Sequence, residues 1–135
     1  MNDSTNIDAT PQRPEGTRQI SGPFVQANIK ELIETLTSES TWEDSDRNAI
    51  TIYKSPVLVN TLVGLKEGAG LEQQTVKGLL SVQVLKGELS FITADQKTDL
   101  GKKDIAWIEP GLPFTIQARE ESVFILSISQ VREAD

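Results

Sequence analysis

Residues 79–93 read Leu-Leu-Ser-Val-Gln-Val-Leu-Lys-Gly-Glu-Leu-Ser-Phe-Ile-Thr. Two β-rich runs, 79–86 and 88–93, flank Gly87, which is the pattern of a tight hairpin. Within the first run Leu80, Val82 and Val84 share one parity, so one face of that strand is hydrocarbon throughout, as a buried inner face requires.

Working outward, the same texture recurs. Residues 49–53 (AITIY), 57–65 (VLVNTLVGL), 105–108 (IAWI), 114–118 and 122–130 (SVFILSISQ) read as further strands. Asp95-Gln96-Lys97 and Glu109-Pro110-Gly111 read as turns, the second with Pro and Gly in place. Short strands punctuated by turns, with no long helix between them, predict an all-β sandwich or barrel rather than a parallel α/β sheet.

One helix precedes the strands. Asn28 and Glu31 fit a capping box. Ile29, Leu32, Ile33 and Leu36 then recur at i, i+3, i+4 and i+7, giving one apolar face that should lie against the outside of the sheets. Residues 41–47, acidic and polar around Trp42, read as a loop joining helix to strand. Residues 1–22 hold few large apolar side chains and read as a disordered or extended arm. Residues 23–135 form the single domain expected of a chain of 135 residues.

Composition removes whole classes of chemistry. Lysine and arginine number 13 against 20 acidic residues, a net charge of −7. An acidic chain is not built for the nucleic-acid backbone. There is no cysteine, which excludes disulfides and thiolate metal sites, and no histidine, the commonest transition-metal ligand and general acid–base. No run approaches the roughly 20 apolar residues of a membrane span. The first sixteen residues show neither the basic start nor the apolar run of a secretory leader, and a cytoplasmic location is the default expectation. Serine nucleophiles lack a base, and the segment 64–70 (GLKEGAG) lacks the Gly-Lys-Ser/Thr of a phosphate loop.

Residues 60–129 resemble a cupin. The first motif of that family is a glycine, two histidines, a glutamate and a closing glycine. Its positions fall here on Gly68, Gln74, Val76, Leu80 and Gly87. The second motif falls on Lys103 in place of its opening glycine, Glu109 in place of its proline (with Pro110 one later), Gly111, Phe114 in place of its histidine and Ala118 in place of its asparagine. The resemblance implies a cupin jelly roll, or double-stranded β-helix, with one N-terminal amphipathic helix. It also implies a homodimer formed by exchanging strands or packing sheet edges.

The family's metal does not carry over, because the four ligand positions are Gln74, Val76, Leu80 and Phe114. Three are hydrocarbon, and an amide oxygen is a weak transition-metal ligand. No metal and no cofactor are therefore expected. The resemblance instead implies a pocket lined by Gln74, Val76, Leu80, Val82 and Phe114, either open to a small organic ligand or collapsed into core. Trp107 and Phe114 flank the Pro-Gly turn beside it. Three functions follow as alternatives. The first is a metal-free binding or interaction module. The second is a metal-independent isomerase or lyase for a small metabolite, with Glu72 or Glu109 as acid–base group, since desolvation raises a carboxyl pKa. The third is a structural or regulatory partner with no ordered cavity.

Overall fold

The structure, a computed structural model, describes residues 18–129. Residues 1–17 of the expected arm, and Gln130 at the end of the expected last strand, lie outside the described residues.

Among the described residues, nine strands and two helices follow in chain order. Helix α1 spans Ile29–Ser38 and α2 spans Ser40–Asp44. The strands are β1 (Arg47–Lys54), β2 (Leu58–Leu65), β3 (Gly70–Gln74), β4 (Leu79–Lys86), β5 (Glu88–Ile92), β6 (Lys97–Gly101), β7 (Ile105–Ile108), β8 (Phe114–Ala118) and β9 (Ser122–Ser129). They form a five-stranded sheet in the order β1-β2-β9-β4-β7 and a four-stranded sheet in the order β3-β8-β5-β6. Every pairing is antiparallel. The chain thus alternates between two facing sheets, as a jelly roll does.

The expected β4–β5 hairpin does not form: the chain turns at Gly87, but its two strands belong to different sheets and do not pair. Gly87 is a corner between layers rather than a two-strand turn. Gly68, Gly87 and Gly111 have positive φ, and the one described non-glycine residue with positive φ is Lys103, at +76°. These are the four positions at which the two motifs place glycine. A non-glycine residue there costs about 1–2 kcal/mol.

The main core lies between the sheets. Leu80, Val82 and Val84 of β4 and Phe124 of β9 face Leu89 and Phe91 of β5 and Phe114, Ile116 and Ala118 of β8. A second cluster lies on the other side of the five-stranded sheet. There Leu32 and Leu36 of α1 pack on Ile50, Ile52, Leu62 and Val123. The expected apolar helix face is therefore the face that is buried. Asn28 caps the helix, its Oδ1 accepting from Glu31 N at 2.9 Å.

The structure differs from the sequence reading in four further places. The segment around Trp42 contains the short helix α2, because Trp42 is buried beside Leu36 over Gly64, with Lys66 Nζ 5.1 Å from its ring. Strands β3 (GLEQQ) and β6 (KTDLG) carry few β-branched residues and were not apparent from texture. Both are edge strands, held by pairing to β8 and β5. From the segment expected as an arm, residues 18–20 lie along β1. Ile20 is buried, Ile20 O accepts from Lys54 N, and Arg18 donates to the carbonyls of Thr51 and Ile52.

Candidate functional site

The inner faces of the two sheets are built by period-two alternation. On β9, Phe124, Leu126 and Ile128 share a parity and face inward. Burial along them is uneven. Phe124 is fully buried, whereas Leu126 and Ile128 are half-buried. The neighbouring β2 repeats the gradient, with Leu62–Leu65 buried and Leu58–Thr61 half-buried. Register places Val59 opposite Ile128 and Thr61 opposite Leu126.

One end of the sandwich is therefore less closed than the other. Its walls on the large sheet are Val59, Thr61, Leu126 and Ile128. Leu71 of β3 and Val76 of the β3–β4 connection, both half-buried, pack against the same core. The floor is aromatic and aliphatic: Phe91 and Phe114 stack with centroids 5.3 Å apart and planes 14° apart, beside Leu80 and Ile108. The result is a half-buried apolar lining at this end of the sandwich, with Thr61 as its polar member.

The structure brings most of the expected pocket residues together. Leu80, Val82 and Phe114 are buried in the main core, and Val76 packs on it. Gln74 pairs with Phe114 on the edge strand, but it is solvent-exposed and its Nε2 donates to Glu72 O at 2.8 Å. Gln74 and Val76 do not continue the inner row of Leu80, Val82 and Val84. β3 ends at Gln74, β4 begins at Leu79 in the other sheet, and Val76 lies in the connection between them. The row is real from Leu80 to Val84 alone.

Leu71, Val59, Thr61, Leu126 and Ile128 were missed by the sequence reading. The signal present was the shared parity of Phe124, Leu126 and Ile128, but sequence does not say at which end of a strand burial fails.

The residues do not fit the metal that the fold family implies. Val76, Leu80 and Phe114 offer no lone pair, and the Gln74 amide is turned onto Glu72 O. Among the described residues no three histidine, cysteine, aspartate or glutamate side chains gather as a metal-binding group. Glu72 and Glu109 are both solvent-exposed and lie outside the apolar interior. No described helix is long and apolar enough to cross a membrane.

These features define a cupin jelly roll: two facing antiparallel sheets, with the motif glycine positions at the turns between strands. Known structures agree. A cupin superfamily protein from Desulfitobacterium hafniense DCB-2 superposes with a TM-score of 0.61 at 16% identity, covering 63% of this chain and 78% of that one. KdgF from a Halomonas species gives 0.59 at 18% identity, covering 65% and 82%. A salicylate 1,2-dioxygenase from Pseudaminobacter salicylatoxidans gives 0.69 at 17% identity, covering 82% of this chain and 36% of that one. No family model and no curated protein sequence matches the chain. At these identities the likeness concerns the fold, and one fold hosts many functions.

Proposed function

We propose that this protein is a metal-independent binding module of cupin fold that takes a small, largely apolar organic molecule in the cleft between its sheets. The observation that supports this reading is the half-buried hydrocarbon lining. Leu71, Val76, Leu126 and Ile128 pack on the main core yet keep part of their surface in water. Filling such a cleft removes apolar surface from water at about 25 cal/mol per Å². Thr61 on the wall and Gln74 at the rim supply polar contacts that orient the guest. The reading as a carboxylate-dependent isomerase or lyase has less support, because Glu72 and Glu109 both stand outside the apolar interior.

The test is calorimetric titration, backed by thermal shift, with a panel of short aliphatic acids, benzoates and indoles. Members of one chemical class are expected to bind and to raise Tm. Val76→Trp, which fills the opening from a loop position, is expected to weaken binding by roughly tenfold or more while the fold persists. Absence of binding across the panel, or binding unchanged in Val76→Trp, overturns the proposal.

A further inference from the structure

The two outer faces of the sandwich differ in kind. On the four-stranded sheet the outward face is charged and paired. Arg119 lies 2.9 Å from Asp99 and 3.8 Å from Glu88, and Ser90 donates to Asp99. On the five-stranded sheet α1 covers Ile50, Ile52, Leu62 and Val123, with Leu85 and Ile125 beside them. The remainder of that face lies outside the helix cluster.

Register defines what is left there. Tyr53 of β1 pairs with Asn60 of β2, Asn60 with Ser127 of β9, Ser127 with Ser81 of β4, and Ser81 with Trp107 of β7. Directly paired residues share a face, so these side chains form one row from edge to edge of the sheet. The row points outward, because Leu80 and Val82 on either side of Ser81 belong to the inner core and side chains alternate. Four strand spacings separate Tyr53 from Trp107, about 19 Å.

The chemistry of the row is neutral and hydrogen-bonding. None of its members is charged, and neither are Leu79, Gln83, Ile105 and Ser129 in the adjoining rows, although 24% of the chain is charged. Asn60 Nδ2 donates to Ser127 Oγ at 2.6 Å, which leaves Asn60 Oδ1 to accept and the Ser127 hydroxyl to donate. Among the described residues the side chains of Tyr53, Ser81 and Trp107 have no hydrogen-bond partner. Trp107 is 61% exposed, and the other four are half-buried.

This arrangement selects among ligands. A protein interface has an apolar centre and a polar rim. Here the order is reversed, with aromatic rings at the ends and amide and hydroxyls in the middle. A nucleic acid needs cations, and the row has none. A neutral sugar chain fits both parts. The negative face of an aromatic ring attracts the C–H groups of a pyranose. Serine hydroxyls and the asparagine amide donate and accept, as sugar hydroxyls do.

We propose that this face binds a neutral oligosaccharide lying across the strands, with pyranose rings against Trp107 and Tyr53 and hydroxyls hydrogen-bonded to Ser81, Ser127 and Asn60. The site is on the opposite side of the sheet from Leu126 and Ile128, so this inference is independent of the proposed function.

The test is titration of the full chain with cellohexaose, xylohexaose and mannohexaose, followed by tryptophan fluorescence. Of the two tryptophans Trp42 is buried and Trp107 exposed, so a saturable blue shift reports on the row. At least one of the three is expected to bind, and more tightly than a charged hyaluronan oligosaccharide of similar length. By calorimetry, Trp107→Ala and Ser81→Arg, both at outward positions, should each weaken binding by roughly tenfold or more while retaining the β spectrum. Val76→Trp should leave it unchanged. Absence of binding to all three, tighter binding of hyaluronan, binding indifferent to both outward variants, or loss of binding in Val76→Trp overturns the proposal. So does a dimer, seen by light scattering, that buries Trp107 and excludes the oligosaccharide.

Discussion

Gly87 turns the chain from β4 into β5 at φ +87°, and a Cβ built on it would lie 2.3 Å from Glu121 O and from Ser122 Oγ. Ser122 is fully buried, and its hydroxyl accepts from Glu88 N at 3.0 Å, so it has little room to give. Gly87→Ala therefore meets both the left-handed backbone cost and a steric clash. Urea denaturation should show a loss of about 2–4 kcal/mol. Asp46 makes a different kind of prediction. Its Oδ1 accepts a hydrogen bond from Arg47 Nε at 2.9 Å, which holds the carboxyl below the ordinary aspartate range. A depressed folded-state pKa contributes stability present above the unfolded value and lost as pH falls through the folded one. The pair is solvent-exposed, so the contribution is small. NMR titration should find the Asp46 pKa below the usual value of about 3.9, returning toward it in Arg47→Ala.

Helix α1 is seated by one leucine. Leu36 is fully buried, and its Cδ2 occupies the space that a side chain at Gly64 would need, 2.6 Å from the ideal Cβ. The end of the helix is tied down by a buried amide: Asn48 Nδ2 donates to Leu36 O and to Glu39 Oε1, each at 2.9 Å. Leu36→Ala should cost about 2–5 kcal/mol in chemical denaturation. The cluster it leaves, between helix and sheet, is separate from the core between the sheets. Asn28 and the i, i+3, i+4, i+7 leucines and isoleucines were legible because cap and stripe are local patterns. The helix α2 was not legible, since the burial of Trp42 depends on Gly64, more than twenty residues away. Strands β4, β7 and β8 were read at their observed limits because each is an alternating or continuous apolar run bounded by charged or turn residues. β3 and β6 escaped because their strand state comes from neighbours that supply the hydrogen bonds.

At the scale of the molecule, the last strand holds the large sheet together. β9 lies between β2 and β4, so the sheet cannot form until residues 122–129 are present. The hydrogen bond from Asn60 Nδ2 to Ser127 Oγ, 2.6 Å long, spans 67 positions. Such non-local pairing predicts folding on the scale of milliseconds to seconds, measurable by stopped-flow refolding. A chain ending before Ser122 should lack cooperative unfolding in the same apparatus.

By itself the sequence determined the all-β class, the helix and its buried face, the places where glycine turns the chain and the inner row of Leu80, Val82 and Val84. Each of these is a local regularity: a period of two, a period near 3.6, or a turn residue between runs. It also determined that no histidine or cysteine takes part in any chemistry here, which is a matter of count. Only the tertiary structure decided that Gln74 faces solvent while Val76 joins the core, that the sandwich is less closed at the Ile128 end, and that Gly87 joins two layers rather than two paired strands. Those facts depend on which strands meet and where a sheet stops. The physical reason is that burial is a property of surfaces brought together from distant parts of the chain, whereas periodicity belongs to neighbours along it.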